Sequence, residues 1–219
     1  SARERWRCGM SRDVSQSVLG AALLALLGGA CSGEAQPPSQ PDAAAPAPSL
    51  SWPIPAGWKH ETFPLPPDFA PELPFRGTED LRFMPGWSSS TAPDFWSYDF
   101  VWLLDERPQF DATSLAAALT AYFRGLSTAV GGAKYEFDAS RYRADLTGVP
   151  DSALPRIAGQ VFTYDAFQTG LPQVLNVEAE LRSCPGIGKF AVVVALSPKD
   201  ATDPVWTELR ATAAALVCP

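Results

Sequence analysis

Histidine is nearly absent from this chain, because His60 is the only one among 219 residues. A single imidazole excludes every catalytic or metal site that needs two histidines from the same chain. The sequence also lacks a Walker-type phosphate loop, a G-x-S-x-G nucleophile elbow and the paired histidine spacing of zinc enzymes. No reaction can therefore be assigned from a motif, and we expect no cofactor and no metal.

Positive charge is also scarce. The chain has 17 Lys and Arg against 24 Asp and Glu, which gives a formal net charge of −7. Nucleic-acid binding needs clustered basic side chains to neutralise phosphates, so a nucleic-acid partner is not expected. The length is typical of one domain rather than two.

Long hydrophobic runs are missing as well. The apolar stretch 18–30 has 13 residues, whereas a membrane-spanning helix needs about 20. Its length is typical of a signal-peptide core. Met10 and Arg12 would supply a short charged lead-in, so we expect translation to begin at Met10 and residues 1–30 to be the signal peptide.

The signal ends in Leu27-Gly28-Gly29-Ala30-Cys31, which resembles the lipobox of bacterial lipoproteins. That resemblance implies that Cys31 is lipidated and anchors the protein in a membrane. Ser32 in place of Asp implies the periplasmic face of the outer membrane. The family usually has Leu where this chain has Gly28, and the alternative is an ordinary secretory peptide followed by a chance cysteine.

Residues 31–51 are rich in Pro, Ala and Ser and predict an extended linker between the anchor and a globular domain at 52–219. Within the domain, residues 52–75 alternate aromatics with prolines. Proline excludes a helix or central strand there, so we expect an extended strap along the domain surface that pairs as an edge strand at His60–Leu65.

The rest of the domain reads as regular elements. Strands with few helices between them must pair mostly antiparallel, which predicts an α+β fold with a curved sheet of about six strands and two packed helices. The predicted strands are Leu81–Met84, Phe95–Leu104, about Lys134–Leu146, Arg156–Phe167, Gln173–Arg182 and Lys189–Leu196, and the predicted helices are Leu115–Val130 and a last helix opening at Asp203-Pro204.

In its order of elements, a last strand leading into a packed C-terminal helix, the domain resembles the fold of PsbP proteins, Mog1 and the lipoprotein DcrB. The stretch Gly57–Leu104, with GWKHETFPLPPDFAPELPFRG, LRFMPG and FWSYDFVWLL, resembles a group of uncharacterised secreted bacterial proteins. Neither resemblance implies an activity.

Two cysteines remain after the signal and the lipidation site, Cys184 and Cys218. A remaining pair in an exported chain predicts a disulfide, which would join the last helix to the sheet. A metal site is the competing interpretation, but it lacks further Cys or His ligands.

The candidate binding surface has two parts. The first is the strap, with Trp52, Trp58, and His60 beside Glu61. The second is a polar sheet face, on which alternation places Glu178 and Glu180, with Asp99 and Asp165 expected to share it. Such a face could bind a cationic or sugar partner, supply paired carboxylates for hydrolysis, or simply face solvent.

The sequence therefore predicts a lipid-anchored envelope protein that binds a protein or cell-wall component without catalysis. The alternative is a periplasmic hydrolase that uses carboxylates or His60. No catalytic residue is assigned.

Overall fold

The computed structural model describes residues 49–219, so the signal peptide, Cys31 and most of the linker lie outside the described residues. The described chain forms seven strands and two α-helices. The strands are β1 (Lys59–Leu65), β2 (Gly77–Phe83), β3 (Tyr98–Leu104), β4 (Arg143–Gly148), β5 (Arg156–Tyr164), β6 (Pro172–Cys184) and β7 (Lys189–Ser197), and the helices are α1 (Ala112–Gly131) and α2 (Val205–Ala214).

All seven strands belong to one antiparallel sheet in the order β1-β2-β3-β7-β6-β5-β4. Two meanders meet at its centre, and α1 carries the chain from β3 across the sheet to the far edge strand β4. The α+β prediction with an antiparallel sheet and two helices is confirmed, with seven strands rather than about six. The apolar strand β7 is the fourth of the seven and lies at the centre of the sheet.

One sheet face is covered by α1 and is called the helix-1 face. Its core contains the aromatic residues of β3, such as Phe100 and Trp102, both of which are fully buried. The buried stripe of α1, including Leu119 and Phe123, packs against them. The helix begins with a capping box, in which the Asp111 side chain accepts from the Ser114 N–H.

The opposite face is covered at its centre by α2 and is called the helix-2 face. Val101 of β3 and Val193 of β7 are buried there, as are Trp206 and Leu209 of α2. The prediction of an open polar face was therefore wrong for the middle of the sheet. Alternation along a strand shows which residues share a face, but not that a helix far along the chain covers that face.

A disulfide joins Cys184, at the end of β6, to Cys218 after α2, with the two Cα atoms 4.5 Å apart. The predicted pairing is confirmed. The first described residues are held at the same place, because Ser51 pairs with Val217 through backbone bonds of 2.8 and 3.2 Å. Both ends of the described chain are therefore attached to the helix-2 face.

The predicted strand over Lys134–Leu146 was wrong in its first half. The structure has a 3-10 turn at Ala139–Arg141 and starts β4 at Arg143. The Asp138 side chain accepts from the Ser140 N–H and caps the turn, which is the local competition by Asp that breaks a strand.

Within residues 49–219, neither helix has the length and apolar character needed to cross a membrane.

Candidate functional site

A cleft of about 760 Å³ lies between residues 72–76, residues 104–109 and the first half of α1. Phe75, Leu104 and the alanines of α1 line it with apolar surface. Exposed charged side chains of both signs complete the lining. These are Glu72, Arg76, Asp105, Glu106 and Arg107.

The cleft follows from the small side chains of α1. The helix faces the cleft with Ala117, Ala118 and Ala121. Their short side chains leave space above the helix backbone. One turn farther along, the strap crosses the helix directly at Gly125, where a Cβ atom would lie 2.0 Å from the Phe69 carbonyl oxygen. The same helix therefore contacts the strap at its middle and leaves a gap near its start.

The charged groups of the cleft are held by local contacts. Arg76 donates to the carbonyl oxygens of Leu73 and Phe75, at 3.3 and 2.8 Å. Lys189 forms an ion pair with Asp105. The hydroxyl of Ser114 donates to the Gln109 and Asp111 carbonyls in the helix cap. The cleft thus offers apolar contact and charges of both signs, without a nucleophile beside a base.

His60 lies at the β1 edge of the helix-2 face. Its Nε2 atom is 2.8 Å from Thr62 Oγ1 and 2.9 Å from Asp80 Oδ1. A nucleophile–base–carboxylate relay needs one ring nitrogen for the nucleophile and the other for the carboxylate. Here one nitrogen faces both groups, so the arrangement is an exposed polar contact rather than an activated threonine.

Asp80 connects His60 to a buried arginine. Arg82 Nη1 donates to Asp80 Oδ1 at 2.5 Å, and Arg82 Nη2 donates to the Trp52 carbonyl at 2.8 Å. The guanidinium carbon lies 4.3 Å from the centroid of the Trp52 ring. This buried charge is satisfied by several partners and holds the start of the strap in place.

The two predicted tryptophans serve packing. Trp52 is buried and its Nε1 donates to the Thr212 carbonyl of α2 at 2.9 Å. Trp58 is half-buried against the core that includes Met84 and Ala195. Neither ring is the open aromatic surface that the sequence predicts.

The predicted acidic residues of β6 are paired. Glu178 accepts from Arg210 of α2, with an Nη2–Oε1 distance of 2.6 Å. Glu180 forms an ion pair with Arg182, and Arg182 also donates to the Leu216 carbonyl at 2.8 Å. These contacts hold α2 and the C-terminal segment on the sheet, so the carboxylates already have partners.

Asp99 shares the helix-2 face with Glu178, because both lie in register with Ala195. It is fully buried and neither carboxylate oxygen has a hydrogen bond within residues 49–219. Burial raises the pKa of Asp99 well above its usual range, and the nearby Glu178 charge raises it further. Asp99 is therefore a core residue and not part of an accessible polar surface.

Asp165 lies in the turn after β5 and does not share the polar face. Its carboxylate accepts from the Trp96 indole at 3.0 Å and from the backbone N–H groups of Gln168 and Thr169. The residue is an internal cap for this turn, so the prediction that it faces the same surface as Asp99 was wrong.

Glu79 is the acidic residue that sequence analysis missed. It is fully buried on the helix-1 face, where Oε1 accepts from the Tyr122 hydroxyl at 2.9 Å. Burial raises its pKa to about 8, although the Tyr122 bond acts in the opposite direction. The predicted strand begins at Leu81 and leaves Glu79 out, whereas extending its alternation by two residues would have placed Glu79 inward.

Glu61 lies on the same face as Glu79, two residue pairs along the β1–β2 ladder. Burial raises the pKa of Glu61, and Lys59 partly opposes the rise. Glu61 and His60 point to opposite faces of β1, so they do not form the acid–base pair that their adjacency suggests.

The predicted site residues are therefore distributed over two faces and a turn, and the cleft contains none of them. No sequence signal marks the cleft, because it forms where residues 72–76 meet residues 104–121, which begin about 30 positions later in the chain. Within residues 49–219 no group of three or more His, Cys, Asp or Glu side chains is arranged to hold a metal ion.

No protein-family model, curated protein or solved structure matches the chain.

Proposed function

We propose that this protein is a lipid-anchored binding module of the cell envelope, and that the cleft beside α1 binds an extended peptide segment of an envelope or cell-wall partner. The observation that carries the proposal is the cleft lining. Apolar walls flanked by exposed charges of both signs suit a peptide with apolar side chains. The apolar walls would contact those side chains, and the charges would contact the polar backbone and ends of the peptide.

The location rests on the sequence. The Leu27–Cys31 segment supports lipidation at Cys31, and the Pro-rich linker would hold the domain away from the bilayer. The Cys184–Cys218 disulfide supports an oxidising compartment such as the periplasm.

A binding role is favoured over catalysis because the candidate groups do not converge. Glu178 and Glu180 pair with arginines, Asp165 caps a turn, and the ring nitrogen of His60 that faces Thr62 also faces Asp80. Acid–base chemistry needs two such groups within reach of one substrate.

The test uses the full chain carrying Cys31→Ser, so that the lipid does not itself bind membranes. Purified peptidoglycan sacculi and outer-membrane fractions are the probes, and bound protein is measured by co-sedimentation. Ala117→Arg places a long charged side chain in the cleft, and we expect it to reduce binding about tenfold or more. Thr128→Arg, exposed about three turns farther along α1, is the matched control and should bind like the parent chain.

Equal binding by the Ala117→Arg and Thr128→Arg chains would show that the cleft is not the binding site. Absence of binding by the parent chain to both fractions would reject an immobilised envelope ligand.

A hydrolase is the second candidate, and the observation that favours it is Glu79. A carboxyl group with a pKa of about 8 is protonated at neutral pH and able to donate a proton. Its complete burial favours a structural role. Turnover of a glycan or ester substrate that is lost in Glu79→Gln, while the fold is kept, would support the hydrolase.

A further inference from the structure

Strand β4 ends the sheet, and half of its backbone groups point away from the molecule. One hydrogen bond shows which residues of this edge bond to the neighbouring strand β5: the Val149 N–H donates to the Arg156 carbonyl at 2.9 Å, and these two residues are directly opposite each other. In an antiparallel ladder the bonded residues alternate, so Arg143, Asp145 and Thr147 bond to β5. Ala144 and Leu146 therefore direct their N–H and C=O groups outward, and no hydrogen bond within residues 49–219 occupies them.

The two edges of the sheet differ in how they are protected. The opposite edge strand, β1, contains Pro64 and the exposed charge of Lys59, both of which hinder pairing with another strand. Strand β4 reads RADLTG and has neither proline nor lysine. Its two charged residues, Arg143 and Asp145, are both exposed and cancel each other.

We propose that β4 pairs antiparallel with β4 of a second copy of this chain, centred on Ala144, so that the two sheets join into one. In this register Arg143 faces Asp145 of the second copy, and the two-fold symmetry repeats the pair. Leu146 faces Tyr142 of the second copy on the helix-1 face. Opposite charges directly across a strand pair stabilise pairing, and a two-fold contact is the commonest form of self-association.

The direction of the backbone groups agrees with this register. The proposed register places the even-numbered residues of the two β4 strands opposite each other. These are the residues whose N–H and C=O groups point outward. Arg143 and Asp145 then occupy the non-hydrogen-bonded positions, where cross-strand Cα atoms are about 4.5 Å apart and side chains are closest. A register shifted by two residues would place Asp145 opposite Asp145, so charge selects one alignment.

The charge pair already exists within each chain. Arg143 Nε lies 3.3 Å from Asp145 Oδ2, and the Arg143 guanidinium carbon lies 3.4 Å from the centroid of the Phe162 ring. An exposed ion pair of this kind adds little to the stability of one chain. In the dimer, Arg143 of each copy would pair with Asp145 of the other copy, so every charge stays paired. The dimer would also gain the backbone hydrogen bonds between the two β4 strands.

The experiment is sedimentation equilibrium of the full chain in density-matched detergent, which reports protein mass with or without a lipid. We expect a monomer–dimer equilibrium. Arg143→Asp and Asp145→Arg each place like charges opposite one another twice, so each should raise the dimer dissociation constant about tenfold to a hundredfold. The double variant Arg143→Asp with Asp145→Arg restores both pairs and should restore the parent constant.

Lys59→Asp reverses one exposed charge on the other edge strand and should leave the dissociation constant unchanged. Circular dichroism melting confirms that each variant is folded. A parent chain that stays monomeric at all concentrations overturns the proposal. The proposal is also overturned if the single reversals leave the dimer dissociation constant unchanged, or if the double variant does not restore it, since a different surface would then mediate association. A chain that binds another protein but does not self-associate also overturns the proposal.

Discussion

At the scale of single residues, the fold buries two carboxyl groups and raises their pKa values. Glu79 lies under α1 and Asp99 lies under the segment that includes α2, each fully buried. Burial disfavours the charged form and raises both pKa values. Such groups make the stability of the fold depend on pH, because each binds its proton more tightly in the folded chain than in the unfolded one.

We expect the free energy of unfolding to fall as pH rises from about 4.5 to about 8, the window between the ordinary and folded pKa values of Glu79. The folded state binds more protons than the unfolded state there, so stability decreases with pH. Glu79→Gln, which keeps an acceptor for Tyr122, should flatten this slope by a few kcal/mol across the window. Urea unfolding at several pH values measures it.

Glu72→Gln is the control for that experiment. Glu72 is exposed and a backbone hydrogen bond lowers its pKa, so its effect on stability lies at acidic pH, outside the window. An unchanged slope in Glu79→Gln would show that Glu79 is already ionised in the folded protein.

At the scale of the elements, the C-terminal segment depends on its disulfide. Cys184 and Cys218 are separated by 34 positions. In the chain-entropy model a loop of this length stabilises the fold by about 3–4 kcal/mol. Cys184→Ala with Cys218→Ala should therefore lower the free energy of unfolding by about that amount, and dithiothreitol should lower it equally in the parent chain. A loss below about 1 kcal/mol would mean that hydrogen bonds alone hold the segment.

The crossing of the strap over α1 depends on Gly125. A Cβ atom there would lie 2.0 Å from the Phe69 carbonyl oxygen, and backbone cannot move aside as a flexible side chain can. Gly125→Ala should destabilise the protein by about 1–3 kcal/mol despite the better helix propensity of alanine. Thr128→Ala, exposed on the same helix, should stay within about 0.5 kcal/mol. A stabilised Gly125→Ala chain would show that the strap is not held tightly against the helix.

Elements with a clear period could be predicted from the sequence. The alternation of β3 and the spacing of Leu119 and Phe123 predict the strand and the helix that form the core. The segment before β4 could not, since the Asp138 cap competes with strand formation. The coverage of Asp99 also could not, because α2 comes about 100 residues later in the sequence.

At the scale of the whole molecule, the proposed function depends on a lipid anchor at Cys31 that a linker joins to the binding domain. Cys31→Ser should abolish incorporation of a labelled fatty acid and move the protein from the membrane to the soluble fraction, because the proposed lipid can then no longer be attached. Labelling that persists in Cys31→Ser would place the anchor elsewhere.

The most direct measurement of the central claim is photo-cross-linking in intact cells with a benzophenone amino acid at Ala117, inside the cleft, and at Thr128, outside it. We expect a discrete adduct with an envelope component at position 117 and none at position 128. Absence of an adduct at 117, or identical adducts at both positions, would contradict binding through the cleft.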